Sequence, residues 1–306
     1  MLGDRGLREM RKVLSIGLIF ILLLILAPAR SVNSEQRGGQ HLEVSAQVNP
    51  GVWRLPFVRM GHTQIYDAFN DRIIVFGGWN GQQFFNDVWA LDLETGGVDS
   101  WSKLNPAEAW PGARGQHTAI YDVYNHRMIV YGGRGYHYTY DDVWALDLQT
   151  PGAESWTQLQ PAGGHIGPRR YHTAIYDESS RQMIVFGGNR GGALLNDTWS
   201  LDLETPGDEA WSQLAVTGSV PAARGQHSAI YDNENVLMVV FGGAAVGGLR
   251  NDTWALDLTT GQWVQLSPGG SPPSARRGHT AVLTPGQNSL VAWVAAAFSM
   301  TCGSLT

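Results

Sequence analysis

The stretch from Gly115 to Asp122 reads GQHTAIYD, and it returns as GQHSAIYD at 225–232. Successive copies of its histidine are separated by 55, 55, 55 and finally 52 residues along the chain. The copies of that histidine are His62, His117, His172, His227 and His279. A fixed period of this length is typical of proteins built from repeated supersecondary units that stack on one another.

Three further features recur in phase with the histidines. An arginine precedes each histidine by three residues, at Arg59, Arg114, Arg169, Arg224 and Arg276. Glycine pairs follow an apolar run, at Gly77 and Gly78, Gly132 and Gly133, Gly187 and Gly188, and Gly242 and Gly243. Tryptophans stand two residues after an aspartate, at Trp89, Trp144, Trp199 and Trp254. Because each feature keeps its place in the unit, we expect structural roles for these residues.

Each unit predicts four strands. The first alternates and ends in an aspartate, and the second is an apolar run such as 183–186, which the glycine pair stops. The third alternates, as in 88–93, and a turn rich in Thr, Pro and Gly separates it from a short fourth strand. Four short antiparallel strands cannot bury both faces alone, so we expect the units to stack radially as propeller blades. A stacked β-solenoid is the alternative, but its repeats are usually far shorter.

The glycine pair after an apolar strand, with an aromatic residue and a tryptophan at set distances, resembles the Kelch family. The resemblance covers 59–283, and it implies a propeller of about six or seven blades built mostly to bind other molecules. The sequence therefore predicts an all-β, Kelch-type β-propeller of four-stranded antiparallel blades over 53–283. Four blades are expected to be complete, and the fifth is expected to be broken.

Both ends of the chain depart from the repeat. Residues 1–29 combine a basic start, an apolar run at 13–27 and an Ala-Pro-Ala sequence, which predicts a signal peptide or an N-terminal membrane anchor. Residues 30–52 are expected to be a linker. The protein is therefore expected to be extracytoplasmic, either secreted or at the cell surface, with membrane contact only through an uncleaved N-terminal segment. The sole cysteine, Cys302, allows no intramolecular disulfide.

The divergent tail at 284–306 follows a fifth unit that opens correctly. The repeat predicts a glycine at position 294, where the chain has Val294. One additional G after the Trp293 codon would restore that glycine and would permit Phe-Asn-Asp-Val-Trp further on. We expect the tail to be a frameshifted remnant of the fifth blade, and the number of blades in the intact protein stays open.

Binding residues are expected where the copies differ. The loop after the glycine pair varies strongly between units, and the inter-blade loops emerge on the same face. Exposed aromatic and arginine side chains anchor interfaces, and aromatic rings stack on sugars. The candidate ligand-binding residues are Trp79, Trp110, Arg134, Tyr136, His137, Tyr138, His165, Asn189 and Arg190. These residues predict a non-catalytic scaffold for a protein or a glycan, whereas the alternative is that some of the aromatics only cover the blade edges.

Two other function classes remain open. One is a carbohydrate-active enzyme, epimerase-like or oxidase-like, and the other is a structural cell-surface protein. Copper oxidases that resemble galactose oxidase need a cysteine cross-linked to a tyrosine, and Cys302 lies in the anomalous tail. The repeating histidines keep to one strand position, whereas the ligands of a single ion converge without regard to a repeat. We therefore predict no catalytic residue, metal or cofactor, and the net charge of −6 argues against nucleic acid as a partner.

Overall fold

The computed structural model describes residues 58–93, 99–107, 109–284 and 289–293. Every regular element in those ranges is a β-strand, and no helix there is long and apolar enough to cross a membrane. The predicted signal segment, the linker and residues 294–306, with the proposed frameshift, lie outside the described residues.

The first two blades are four-stranded antiparallel meanders in chain order. The first blade consists of β1 (Thr63–Asp67), β2 (Arg72–Phe76), β3 (Val88–Asp92) and β4 (Ser100–Leu104). The second blade consists of β5 (Thr118–Asp122), β6 (Arg127–Tyr131), β7 (Val143–Asp147) and β8 (Ser155–Leu159).

The third and fourth blades have longer central strands and small accessory strands. The third comprises β9 (Ala162–Gly163), β10 (Thr173–Asp177), β11 (Gln182–Arg190), β12 (Ala193–Asp202) and β13 (Ala210–Gln213). The fourth comprises β14 (Thr217–Gly218), β15 (Arg224–Gly225), β16 (Ser228–Asp232), β17 (Leu237–Ala245), β18 (Gly248–Asp257) and β19 (Gln262–Leu266). In the fifth unit the described residues form one hairpin, β20 (Thr280–Thr284) with β21 (Ser289–Trp293).

The units stack radially, as the sequence predicts. The innermost strands β1, β5, β10, β16 and β20 lie side by side in chain order. Apolar side chains of neighbouring blades then share one core, in which Ile74 and Val88 of the first blade pack with Met128 and Leu146 of the second. This burial supplies the hydrophobic free energy that a single blade cannot provide. The predicted all-β propeller with four complete antiparallel blades is confirmed, whereas the rest of the fifth unit lies outside the described residues.

Each glycine pair allows two close backbone contacts, one with the next blade and one with the repeated histidine of its own blade. Gly132 and Gly133 have φ angles of 66° and 95°, which favour glycine. A Cβ atom on Gly132 would lie 2.7 Å from the carbonyl oxygen of Arg169 in the next blade. A Cβ atom on Gly133 would lie 2.6 Å from the Cβ of His117 in its own blade. Both positions therefore need glycine for conformation and for space.

The prediction that the glycine pair stops the second strand holds only in the first two blades. It is wrong for β11 and β17, which continue through the pair to Arg190 and Ala245. The pairing register shifts between Phe186 and Gly188, and again between Phe241 and Gly243. A glycine with positive φ can form a bulge that bends the strand, and the hydrogen-bond ladder resumes beyond it.

A buried polar network links the strands of each complete blade at one end of the blade. In the second blade the Arg114 guanidinium donates to both carboxylate oxygens of Asp142 at 2.6 and 2.8 Å, and to the carbonyl oxygen of Gly132 at 3.0 Å. Asp142 also accepts a 2.8 Å hydrogen bond from Trp144 Nε1. Equivalent ion pairs join the other blades at the same separation of 28 residues: Arg59 with Asp87, Arg169 with Asp197, and Arg224 with Asp252. The network joins the entry of the first strand, the glycine pair and the start of the third strand.

A second network joins adjacent blades at the opposite end of the strands. Asp67 accepts hydrogen bonds from Arg72 Nε and from the Tyr121 hydroxyl of the next blade, both at 2.9 Å. Arg72 Nη1 donates to Glu154 Oε1 of that next blade at 2.8 Å. The same arrangement recurs one unit later with Asp122, Arg127, Tyr176 and Glu209.

The chain that leaves each of the first three blades covers the outer edge of the next one. The Ala107 amide donates to the Glu154 carbonyl at 2.8 Å, while β9 pairs in parallel with β13 and β14 with β19. This pairing satisfies backbone groups that an exposed edge strand would otherwise offer to other chains.

We expect Arg114→Ala to lower the free energy of unfolding by about 3–5 kcal/mol, because removing one partner leaves the Asp142 carboxylate without its main donors. The measurement is urea unfolding followed by tryptophan fluorescence. Arg134→Ala is the control, since Arg134 is exposed and should change stability by no more than about 0.5 kcal/mol. Equal losses for the two variants would contradict the structural role of the network.

Candidate functional site

The loops after the second strands and the segments that enter the next blade meet on one side, which we call the loop face. Met60 bridges to Trp79, Gly115 to Arg134 and Arg170 to Asn189. The turns at the other ends of the strands lie on the opposite side, which we call the turn face. In each complete blade, the turn after the first strand contacts the turn after the third strand. There the Leu148 amide donates to the His126 carbonyl at 2.9 Å, and equivalent bonds occur in the other three blades. The loop face carries most of the sequence variation between units, so it is the candidate binding surface.

Three side chains on the loop face form an aromatic cluster, which consists of Trp79, Phe84 and Tyr136. The ring centroids of Trp79 and Phe84 lie 4.5 Å apart, and those of Phe84 and Tyr136 lie 5.2 Å apart at an interplanar angle of 90°. The Tyr136 hydroxyl accepts a 3.2 Å hydrogen bond from the Phe84 amide. The cluster thus joins the variable loops of the first and second blades, while Tyr136 stays 54% exposed.

Arg134, His137 and Tyr138 lie in the same second-blade loop and are exposed. The backbone of Arg134 exchanges two hydrogen bonds with Gly115, at 2.8 and 2.9 Å, and thereby fixes the base of the loop. Tyr138 is 71% exposed, and its ring lies 6.2 Å from that of His137. The structure therefore places four of the predicted residues, Trp79, Tyr136, His137 and Tyr138, in or beside the aromatic cluster.

Trp110 and His165 occupy equivalent positions in successive inter-blade loops but have different surroundings. Trp110 is partly buried against the shared core of the first two blades, which favours an edge-covering role for this indole. The His165 imidazole is exposed, and its Nε2 lies 3.9 Å from a carboxylate oxygen of Asp141. Of these two predicted residues, His165 is the one available to a ligand.

Asn189 and Arg190 shape the third-blade hairpin. Asn189 Oδ1 accepts a 3.1 Å hydrogen bond from the Gly192 amide within the turn. Arg190 Nη2 donates to the Ile166 carbonyl oxygen, and its guanidinium packs against Gly167. Arg190 is thus held beside the loop that carries His165, while it has no carboxylate partner among the described residues.

Sequence reasoning missed a row of peptide groups that links consecutive units beside the innermost strands on the loop face. The residue before each repeated histidine has positive φ: 61° at Gln116, 60° at Tyr171 and 58° at Gln226. The Tyr171 amide donates to the Gln116 carbonyl at 3.1 Å, and the Gln226 amide donates to the Tyr171 carbonyl at 2.9 Å. Gly61 and Gly278 occupy this position in the first and fifth units, and those glycines were the available signal.

Four of the repeated histidines are buried and contact the preceding blade: His117, His172, His227 and His279. His172 Nε2 lies 2.8 Å from Thr118 Oγ1, and His227 Nε2 lies 2.8 Å from Thr173 Oγ1. Burial, together with the positive charge of Arg224, lowers the pKa of His227 to about 3, so its imidazole is neutral at pH 7. Within the described part of the chain, no group of three or more histidine, cysteine or acidic residues is placed to hold a metal ion.

The radial blades, the paired glycines and the arginine network define a β-propeller of the Kelch-repeat class. The KLHDC2/KLHL20/DRC7 Kelch-repeats domain matches residues 43–163 and 150–295, and the chain belongs to this Kelch-repeat family.

Several curated proteins are similar to this chain. Putative adagio-like protein 2 of Oryza sativa subsp. japonica is 30% identical over 73% of the chain and 36% of its own length. The dynein alpha chain of the flagellar outer arm of Chlamydomonas reinhardtii is 29% identical over 68% of the chain, but over only 5% of its own length. The leucine-zipper-like transcriptional regulator 1 homolog of Drosophila melanogaster is 27% identical over 73% of the chain and 23% of its own length. The chain thus spans at most about a third of these relatives, and the similarity concerns the propeller.

The buried histidines predict an acid-sensitive fold. Since the pKa of His227 falls from 6.5 to about 3 on folding, its contribution is complete above pH 6.5 and is lost as the pH falls. Between pH 6.5 and pH 5, protonation of this single group lowers the free energy of unfolding by about 2 kcal/mol. We expect His227→Gln to be less stable than the wild type at pH 7, but to lose about 2 kcal/mol less between pH 7 and pH 5 in urea unfolding.

The matched control is His137→Gln, which changes an exposed histidine and should keep the wild-type pH dependence. If His227→Gln showed the same pH dependence as the wild type, the buried neutral state of His227 would be wrong.

Proposed function

We propose that this chain is a non-catalytic binding scaffold whose loop face recognises another protein. The observation that carries the proposal is the contrast between the repeated framework and the loops above it. The arginine network, the glycine pairs and the buried histidines recur from blade to blade, whereas the aromatic cluster belongs to the loops of the first two blades alone.

Variable loops on a rigid framework are the usual place for recognition, because the framework fixes the loops while their side chains change without loss of the fold. Exposed tyrosine and arginine side chains supply much of the free energy of protein binding where they are buried by a partner. Tyr138 and Arg134 have this exposure, and the aromatic cluster beside them is already ordered by its own ring contacts. A partner would therefore meet a surface with little conformational entropy left to lose.

The second part of the proposal concerns location. The basic start, the apolar run at 13–27 and the Ala-Pro-Ala sequence support export of the propeller from the cytoplasm. An extracytoplasmic propeller could meet glycans as well as proteins, so the binding experiment below includes an arm that separates the two.

The turn face offers a matched control for the binding surface. Tyr124 is 51% exposed there, and the Arg181 guanidinium lies 4.3 Å from its ring centroid. We expect the double variant Tyr138→Ala/Arg134→Ala to weaken the captured partner's affinity at least tenfold, which is about 1.4 kcal/mol. The double variant Tyr124→Ala/Arg181→Ala should stay within about twofold, because it removes the same side chains from the other face.

The measurement captures the partner by photo-cross-linking from position 138 in the native host and then determines its dissociation constant by biolayer interferometry. Equal effects of the two double variants would contradict the loop face as the binding surface. Enzymatic removal of glycans from the captured partner should leave its affinity unchanged, and loss of binding after that treatment would identify a glycan ligand instead.

Location is tested by protease accessibility in intact cells that express the full chain. We expect added protease to digest the wild-type propeller, whereas Leu18→Arg should keep it inside, because a charge within the apolar run opposes export. Ser45→Arg places the same charge in the linker and should leave digestion unchanged. Protection of the wild-type chain from protease would overturn the proposed location.

A further inference from the structure

The loop face has a surplus of positive charge. Its four network arginines are each neutralised by an aspartate of the same blade, as in the ion pair of Arg114 with Asp142. A second set of loop-face arginines has no carboxylate within ion-pair distance among the described residues: Arg134, Arg170, Arg190, Arg250 and Arg277. Outside the ion pairs, the described part of the loop face has one carboxylate, that of Asp141.

The turn face has the opposite surplus. Its exposed carboxylates include Asp147, Glu178, Glu204, Asp208 and Glu234. Among the described residues there, the arginine with a partly exposed side chain is Arg181, which lies 3.9 Å from Glu204. The buried arginines of this face do not offset the negative charge, because Arg72 lies between Asp67 and Glu154. The net charge of −6 therefore conceals two faces of opposite sign.

The positive groups lie on the same face as the aromatic cluster. Arg134 is two residues from Tyr136 in the loop that completes the cluster. Arg170 lies at the next inter-blade junction, with its guanidinium 5.4 Å from the ring centroid of Tyr171. Arg190 is held at the same junction by the Ile166 carbonyl oxygen. An arginine guanidinium offers a planar set of donors that matches a carboxylate, so each of these side chains is suited to an acidic ligand.

We propose that the loop face binds an acidic segment of a partner protein, with an apolar or aromatic side chain of that segment packed on the aromatic cluster. The inference rests on the proposed binding function of the loop face. Complementary charge steers such a segment to the loop face, and the negative turn face repels it, so the field of the whole propeller orients the encounter. The packed ring would supply short-range free energy that salt does not screen.

The experiment measures fluorescence anisotropy of a labelled random copolymer of glutamate and tyrosine with the full chain. We expect saturable binding that weakens as NaCl rises, and weaker binding of polyglutamate, which has no ring for the cluster. Arg134→Glu should weaken binding of the copolymer at least about fivefold, since it replaces an attraction with a repulsion. Arg181→Glu makes the same substitution on the turn face and should change the affinity by less than about twofold.

Equal effects of Arg134→Glu and Arg181→Glu would overturn the inference, provided that both variants keep the wild-type unfolding midpoint. Equally tight binding of a lysine–tyrosine copolymer would overturn it too, because the charge of the ligand would then be irrelevant. Tighter binding of single-stranded DNA than of the acidic copolymer would assign the loop face to nucleic acid instead.

Failure of this inference is distinguishable from failure of the proposed function. If the captured natural partner loses affinity with Tyr138→Ala/Arg134→Ala while the acidic copolymer shows no binding, the loop face binds a protein but not by acidic recognition. If the loop-face double variant leaves the natural partner unaffected, the proposed function itself is wrong.

Discussion

The ion pair between the arginine before the first strand and the aspartate before the third strand is the interaction on which each blade depends. In the second blade Arg114 is fully buried, and its guanidinium binds the carboxylate of Asp142 and the carbonyl of Gly132. A buried guanidinium without these acceptors would carry a large desolvation cost. This set of hydrogen bonds in turn requires Gly132, whose left-handed backbone conformation directs its carbonyl oxygen at the guanidinium. The loops above the strands are therefore anchored at their bases, and their tips can vary without unfolding the blade.

Much of the fold follows from the period, whereas the pairings do not. Alternation and apolar runs located β5, β6 and β7, because those patterns depend on neighbours along the chain. The separation of 28 residues between Arg114 and Asp142 was equally constant in the sequence, but a sequence gives positions and not contacts. The histidines show the same limit: the hydroxyl that meets His172 belongs to Thr118, 54 residues earlier and in another blade. A residue's partner in a propeller is fixed by radial stacking, which no local pattern encodes.

The candidate site was predictable as a face but not as a set of side chains. Variation between the units indicated loops that the structure brings together on the loop face, and their role in binding stays a prediction. Trp110 and Tyr138 are both loop aromatics, yet Trp110 packs partly into the core while Tyr138 is 71% exposed. The difference depends on the core that two blades form together. Phe84, which lies between Trp79 and Tyr136 in the cluster, was missed because its contact with Tyr136 crosses from one blade to the next.

The opposite charges of the two faces follow in part from the framework itself. On the loop face each complete blade contributes one arginine and one aspartate to its network, so the framework adds no net charge there. On the turn face Arg72 and Arg127 each meet two carboxylates, so each of these junctions adds one negative charge. Among the complete blades, the sign of the loop face is thus set by residues outside this network. The same residues that are free to change between blades determine both the charge and the shape that a partner meets, and selection for binding can act on them without weakening the fold.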